Sequence, residues 1–278
     1  MQKEKTESII YIKFFLIIVL TAALISVSYK IFLAIANNSF KYRTFNVLFL
    51  DKDAYLVHLD TKDKKLGIFK FPGKRNLFLG SSNLYLSLLL GVPVDGLIIA
   101  KNPSEFAGLE KNFFPIKKAV RIIISTDSFE NKNINQFDLL KIYLYSVFVP
   151  GNDRVVQEIK DIKSNFKENN QLKDFGNLFQ DNDIFNEKIS AEVINSTGID
   201  GVGARVSDIL KSVGFNVISV ETGDDKESII IDQVRSRNVS VPRLKSAFNI
   251  ETREINETGT ADITVILAKD ILKSVKSF

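Results

Sequence analysis

Phe14 to Ala36 is apolar except for Tyr29, Lys30 and small hydroxyls, and this run limits the chain more than any other feature. At ~1.5 Å rise per residue it is long enough to cross a ~30 Å hydrocarbon core. It therefore reads as one transmembrane helix, with Lys30 and Tyr29 near the far end, where both can reach the interface. A cleaved signal peptide is the competing reading, but the run is too long and no Ala-x-Ala-like site closes it.

Residues 1–13 form a short polar tail carrying Lys3, Lys5 and Lys13, while Lys30, Lys41 and Arg43 follow or end the span. The basic residues alone do not set the orientation. A short tail ahead of one span and a large C-terminal portion is expected to remain cytoplasmic. Everything after about Asn37 is then extracytoplasmic, and the chain is a single-pass protein of the plasma membrane.

The remaining chain is long enough for one or two domains, within a total of 278 residues. The whole chain's net charge of +4 is spread among interspersed acids and bases, so no polyanion-binding field is implied and nucleic acid is not an expected partner. There is no Cys and only one His, His58, which excludes thiol nucleophiles, Cys-zinc sites and multi-His metal sites. No cofactor or metal is expected. Asp51-x-Asp53 between two hydrophobic runs reads as a solvated turn rather than a metal site. His58, alternating with apolar residues, reads as a packed or surface side chain.

Phe45–Leu50, Ala54–Leu59 and Leu66–Phe71 are strand-like runs separated by charged breaks, the pattern of an antiparallel meander. Asn83–Leu90 has helical spacing and stops at Gly91, and Leu97–Ala100 reads as a buried strand. A short helix is expected from Asn102 to Leu109, a strand over Ala119–Ser125, and helices over Phe137–Tyr145 and Val155–Phe166. Residues 167–188, rich in Asn, Asp, Lys and Gln, read as a mostly extended, partly docked connector that lets the last module sit away from the bilayer.

From Ser190 to Asp270 the apolar period alternates between two and about 3.6, giving the order βαββαββ, a small two-layer module. Its first helix places Val202, Val206, Ile209, Leu210 and Val213 on one face and ends at Gly214. Ser240-Val-Pro242 is expected to cap the second. Gly198-x-x-Gly201-x-Gly203, between a strand and a helix and followed by Glu221, invites comparison with a nucleotide-binding loop. The spacing is reversed and too little chain remains for a doubly wound sheet, so the glycines read as a tight turn. Arg205 and Asp208 project from the helix, where either could touch a partner.

Several of these stretches resemble a family. Asn195-Ser-Thr-Gly198, Gly203-Ala-Arg205, Gly214-Phe-Asn-Val217 and the closing Ala261 to Asp270 are similar to the LytR C-terminal domain. The upstream Asn46–Leu50, Asp53–Asp60, Leu90-Gly-Val-Pro-Val-Asp95 and Asn152-Asp-Arg154 resemble the LytR-CpsA-Psr phosphotransferases of bacterial envelopes. That resemblance implies transfer of a polyprenyl-phosphate-linked glycan to the wall, by Arg side chains that clamp the diphosphate and Asp side chains that bind a divalent metal. The family's Ile-Pro-Arg-Asp falls on Phe71-Pro-Gly-Lys74 and its Tyr-x-Arg-x-Arg on Tyr143-Leu-Tyr-Ser-Val147, so most of those groups are replaced. Asp53 and the Asp153-Arg154 pair remain, and one acid cannot hold a catalytic Mg²⁺ of the usual kind.

The expectation is an α/β chain with a transmembrane helix over 14–36 and a mixed-sheet α/β middle domain over 45–166, degenerate relative to the family. A linker over 167–188 and the βαββαββ domain over 189–270 complete it. Its expected role is a pseudoenzyme of envelope assembly that binds wall glycan, a polyprenyl-phosphate precursor or another envelope protein. Asn195, Thr197, Gly198 and Arg205 are the candidate binding residues. The alternative is a retained phosphotransferase using Asp53 and Arg154. A lipid-shaped pocket beneath the middle sheet would favour precursor binding, and a solidly packed sheet a spacer or protein-binding role.

Overall fold

The computed structural model describes residues 2–36, 43–102, 105–109, 128–163, 171–233, 239–255 and 259–274; within its first helix it describes the side chains of 12–26, 28, 29 and 32. The chain divides into two compact units, Met1–Ser39 and Phe40–Phe278.

The first unit is one helix, α1 (Gln2–Ala36), which starts well ahead of the apolar run. Phe14, Phe15, Ile17, Ile18, Leu20, Leu24, Ile25 and Phe32 are all exposed on it. Among the described residues, no helix is long and apolar enough to cross a membrane. The crossing expected of 14–36 thus rests on the sequence alone.

The second unit opens with β1 (Thr44–Leu50), β2 (Ala54–Asp60) and β3 (Lys65–Phe71), paired antiparallel as the charged turns suggested. A short α2 (Arg75–Phe78) leads to α3 (Asn83–Leu90). Ser82 caps α3 by accepting from the Tyr85 N–H, and Gly91 ends it in the left-handed conformation. β4 (Gly96–Ala100), β5 (Phe129–Lys132), α4 (Gln136–Val147) and β6 (Arg154–Glu158) follow. The sheet runs β5-β4-β1-β2-β3-β6, with β4 parallel to β1 and β6 parallel to β3.

β1 and β2 are buried along their whole length because both faces of the sheet are covered. Leu48, Leu50, Leu56, Phe69 and Phe71 point one way, into a core shared with α3. Phe45, Val47, Phe49, Tyr55 and Val57 point the other way, onto Leu139 and Ile142 of α4.

β6 corrects the helix expected over Val155–Phe166. Arg154-Val-Val-Gln-Glu158 takes the free edge beside β3, where backbone pairing outweighs the helical spacing of Val155, Ile159 and Ile162. The strand expected at Ala119–Ser125 lies outside the described residues. The helix expected from Asn102 lies partly outside them, and residues 105–109 are turns and bends.

The extended connector is also corrected. Residues 173–175 form a 3-10 turn, followed by α5 (Gly176–Phe179) and α6 (Asn182–Glu187). Leu172, Phe179 and Ile184 are buried, and Phe179 stacks on Phe69. Those anchors dock the segment, so it does not act as a loose tether.

β7 (Ser190–Ser196), α7 (Val202–Val213), β8 (Asn216–Thr222), β9 (Ile229–Asp232), α8 (Ser240–Phe248), β10 (Glu251–Glu254) and β11 (Ile263–Ala268) give the expected βαββαββ order. This second sheet runs β10-β9-β11-β7-β8. α7 buries the five apolar residues its spacing predicted. Ser240 is not the cap of α8. It is the first helical residue, and the backbone amides of Val239 and Ser240 donate to the Glu187 carboxylate of α6, which also accepts from the Ser240 hydroxyl.

Candidate functional site

α3 carries the junction between the two sheets. Leu86, Leu88 and Leu89 share one core with Val206, Ile209 and Leu210 of α7 and with Leu244 and Phe248 of α8. The last carbonyls of a helix have no partner within it. Arg205, on α7, supplies one: its Nε–H donates to the Leu88 carbonyl at 2.6 Å and its Nη2–H to the Leu89 carbonyl at 3.0 Å. A cation at this end also complements the helix dipole. Burial pulls the Arg205 guanidinium below its ordinary pKa, against an opposing push from Asp208. Gly91 leaves the room required, since a Cβ there would stand 2.7 Å from the guanidinium carbon.

One turn further along the chain, Arg243 of α8 meets Asp95. Both are buried, with Nη2 at 2.9 Å from Oδ2 and Nη1 on Oδ1, and Asp95 Oδ2 also accepts the Asn46 amide of β1 at 2.8 Å. Fork geometry of this kind satisfies a buried carboxylate. The last module is thereby fixed to the first sheet rather than suspended from it.

Arg205, expected at a partner-facing surface, is committed within the chain and only 5 % exposed. Asn195, Thr197 and Gly198 are brought together, but as a turn. Asn195 Oδ1 accepts the Thr197 amide and hydroxyl, its side-chain amide donates to the Ile199 carbonyl, and Thr197 Oγ1 accepts the Ile199 amide. Gly198 takes φ +76° between them, a conformation that disfavours side chains. These polar groups serve their own backbone.

Asp53 and Arg154 are each engaged elsewhere. Asp53 accepts the Gly73 amide at 2.8 Å and pairs with Lys70 at 3.4 Å. Arg154 donates to the carbonyls of Ser146 and Val149. Asp51 is buried and accepts the Phe106 amide. Among the described residues no cluster of metal-ligating side chains forms. His58 is wholly buried: Nδ1 lies 2.7 Å from Asn46 Oδ1, the ring meets Phe179 edge-on, and burial lowers its pKa to about 3.

Two clefts flank the junction. One, of about 570 Å³, lies between Gly80–Leu84, Lys132 and Asn133 on one side and Glu227, Ser228, Phe248–Glu251 and Asp270 on the other. Burial raises the Asp270 pKa, but hydrogen bonds from Ser228 outweigh it and leave the carboxyl below its usual range. The other cleft, of about 310 Å³, lies where Gly91 meets Lys173, Asp208 and Lys211. Neither is lined by β1–β4.

Sequence reasoning missed Asp95, Arg243 and Glu187. Asp95 stood in Gly91-Val-Pro-Val-Asp95, quoted only for its resemblance. Arg243 gave no local signal, because its partner lies 148 residues away.

Residues 188–270 match the family described as LytR cell envelope-related transcriptional attenuator, in its LytR C-terminal domain. No curated protein matches the chain. Among solved structures, the Lin1025 protein from Listeria innocua is similar at 16 % identity, over 70 % of this chain and 88 % of that one, with TM-score 0.20. Lmo1026 from Listeria monocytogenes is similar at 15 % identity, over 86 % and 98 %, with TM-score 0.21. TagT bound to LIIa-WTA is similar at 11 % identity, over 83 % and 87 %, with TM-score 0.20. At these scores the superpositions carry no argument.

Proposed function

We propose, for a chain whose residues 188–270 are a LytR C-terminal domain, that it is a single-pass, extracytoplasmic cell-envelope protein that binds a wall component without turning it over. The family match ties the chain to the cell envelope. The observation that carries the non-catalytic part is the engagement of Asp53 and Arg154. Asp53 is held by Gly73 and Lys70, and Arg154 by the carbonyls of Ser146 and Val149. A phosphotransferase needs such groups free to meet a diphosphate and its metal. The other positions of that pattern hold Gly73, Lys74, Tyr145 and Val147.

Anchoring is supported by the apolar run over 14–36. A helix of that character is stable where its surroundings are hydrocarbon. A wall glycan or an envelope protein is favoured over a polyprenyl chain as partner, because both faces of the sheet are packed along β1, β2 and β3 and the two clefts at the junction are lined by residues outside β1–β4. The larger cleft offers hydroxyls, amides and carboxylates over an apolar floor, a lining suited to a polyhydroxyl ligand.

The test is retention of the full chain, in detergent, on purified wall glycan. Saturable retention, lost on substituting Asn249 and Glu251 in the larger cleft, is expected. Absence of retention, together with co-purification of one envelope protein, would replace the glycan with that protein as partner.

A further inference from the structure

The strand register places the entry of the chain into its folded unit beside an exposed apolar loop. Thr44, the first residue of β1, pairs with Asp60, Asp60 with Lys65, and the neighbouring Leu66 with Arg154, the first residue of β6. All four strand ends lie on one end of the sheet. With strands ~4.8 Å apart, the three steps from β1 to β6 come to roughly 14 Å. The turn that leads from α4 into β6 therefore sits at that same end.

That turn exposes what a soluble surface normally covers. Leu144, Tyr145 and Val147 are exposed, Phe148 is 71 % exposed, and Val156 follows on the edge strand. Contiguous apolar side chains of this kind mark an interaction site. The turn is also held rigid. Arg154 donates across it to Ser146 and Val149, and the Phe148 amide donates to the Tyr145 carbonyl. Arg154 is thus a positioning residue for the loop.

We infer that the loop from Leu144 to Phe148 docks on the bilayer surface and sets how the folded unit is presented to the wall. The inference rests on the anchor reading of residues 14–36. Residues 37–43 connect that run to β1, and so few residues reach at most about 25 Å even when fully extended. An anchored chain therefore keeps this end of the sheet within reach of the membrane, where Tyr and Phe side chains partition into the interface. Three of the basic side chains at this end are paired, Arg43 with Asp60 and Asp63, Lys62 with Asp183 and Lys65 with Asp63. Docking is accordingly apolar, and anionic lipid adds little.

The chain has no Cys, so single-Cys labels report unambiguously. The full chain is placed in nanodiscs of phosphatidylcholine, with and without phosphatidylglycerol, carrying a nitroxide at Phe148→Cys, Lys52→Cys or Leu20→Cys. Lys52 is an exposed turn residue at the opposite end of the sheet. The expected result is a Phe148→Cys label relaxed more by oxygen than by a water-soluble nickel chelate, alike in both lipids, and the reverse at Lys52→Cys. A Phe148→Cys label as water-accessible as Lys52→Cys overturns the docking, and so does one shielded from both reagents, which marks a protein contact. Leu20→Cys separates the two readings: if it is lipid-exposed while Phe148→Cys is in water, docking alone fails. If Leu20→Cys is in water, the anchor fails and the docking argued from it fails with it.

Discussion

Arg243 and Asp95, 148 residues apart, form a bidentate ion pair sealed from solvent between the last module and the first sheet. Removing one partner strands the other charge in the core, which typically costs about 3–5 kcal/mol. Arg243→Met is therefore expected to lower the unfolding free energy by about that amount, read by denaturant titration of the full chain in detergent. Adding Asp95→Asn to the same chain should recover part of the loss.

Arg205 and Gly91 form a second coupled pair. Alanine at Gly91 would need φ +75° and would place its Cβ against the guanidinium. Left-handed strain costs about 1–3 kcal/mol for a non-glycine residue, and displacement of Arg205 from the Leu88 and Leu89 carbonyls adds to it. In a double-mutant cycle, Gly91→Ala should cost less in an Arg205→Ala background than in the parent, because the clash has gone. Purely additive losses would show that the two residues are not in contact.

The junction also shows what the sequence could and could not reveal. The βαββαββ order and the α3 segment ending at Gly91 were legible because each depends on local period and punctuation. β6 was not, since Val155, Ile159 and Ile162 are spaced for a helix and only the neighbouring β3 edge makes Arg154–Glu158 a strand. α5 and α6 were hidden by polar composition around three buried anchors, Leu172, Phe179 and Ile184. Of the candidate site residues, Asn195, Thr197 and Gly198 did converge, as a self-satisfied turn. The fate of Arg205 depends on carbonyls more than a hundred residues away, which no local pattern encodes.

His58 predicts the response to acid. Its folded pKa, lowered to about 3 by burial, lies below the ordinary value of 6.5, so the unfolded chain binds the proton first as pH falls. The neutral ring costs nothing above pH ~6.5, and stability then declines by up to about 1.4 kcal/mol per pH unit until pH nears 3. His58→Gln should flatten that part of the stability-pH curve by up to one proton. An unchanged slope would show that His58 is protonated in the folded chain.

Glu187 caps α8 from another helix, accepting the first two amides at its start. Loss of a helix cap costs about 0.5–2 kcal/mol. Glu187→Ala should fall in that range, and hydrogen exchange should accelerate first at Val239 and Ser240.

The central claim is binding without turnover, and its most direct measurement is a transfer assay on the full chain in lipid vesicles. Glycan-charged undecaprenyl diphosphate and wall glycan are supplied with and without Mg²⁺. The account predicts glycan retention and no transferred product under either condition, with Asp53→Asn and Arg154→Gln leaving the blank unchanged. Mg²⁺-dependent product that disappears in Asp53→Asn would contradict it and restore the chain as a phosphotransferase.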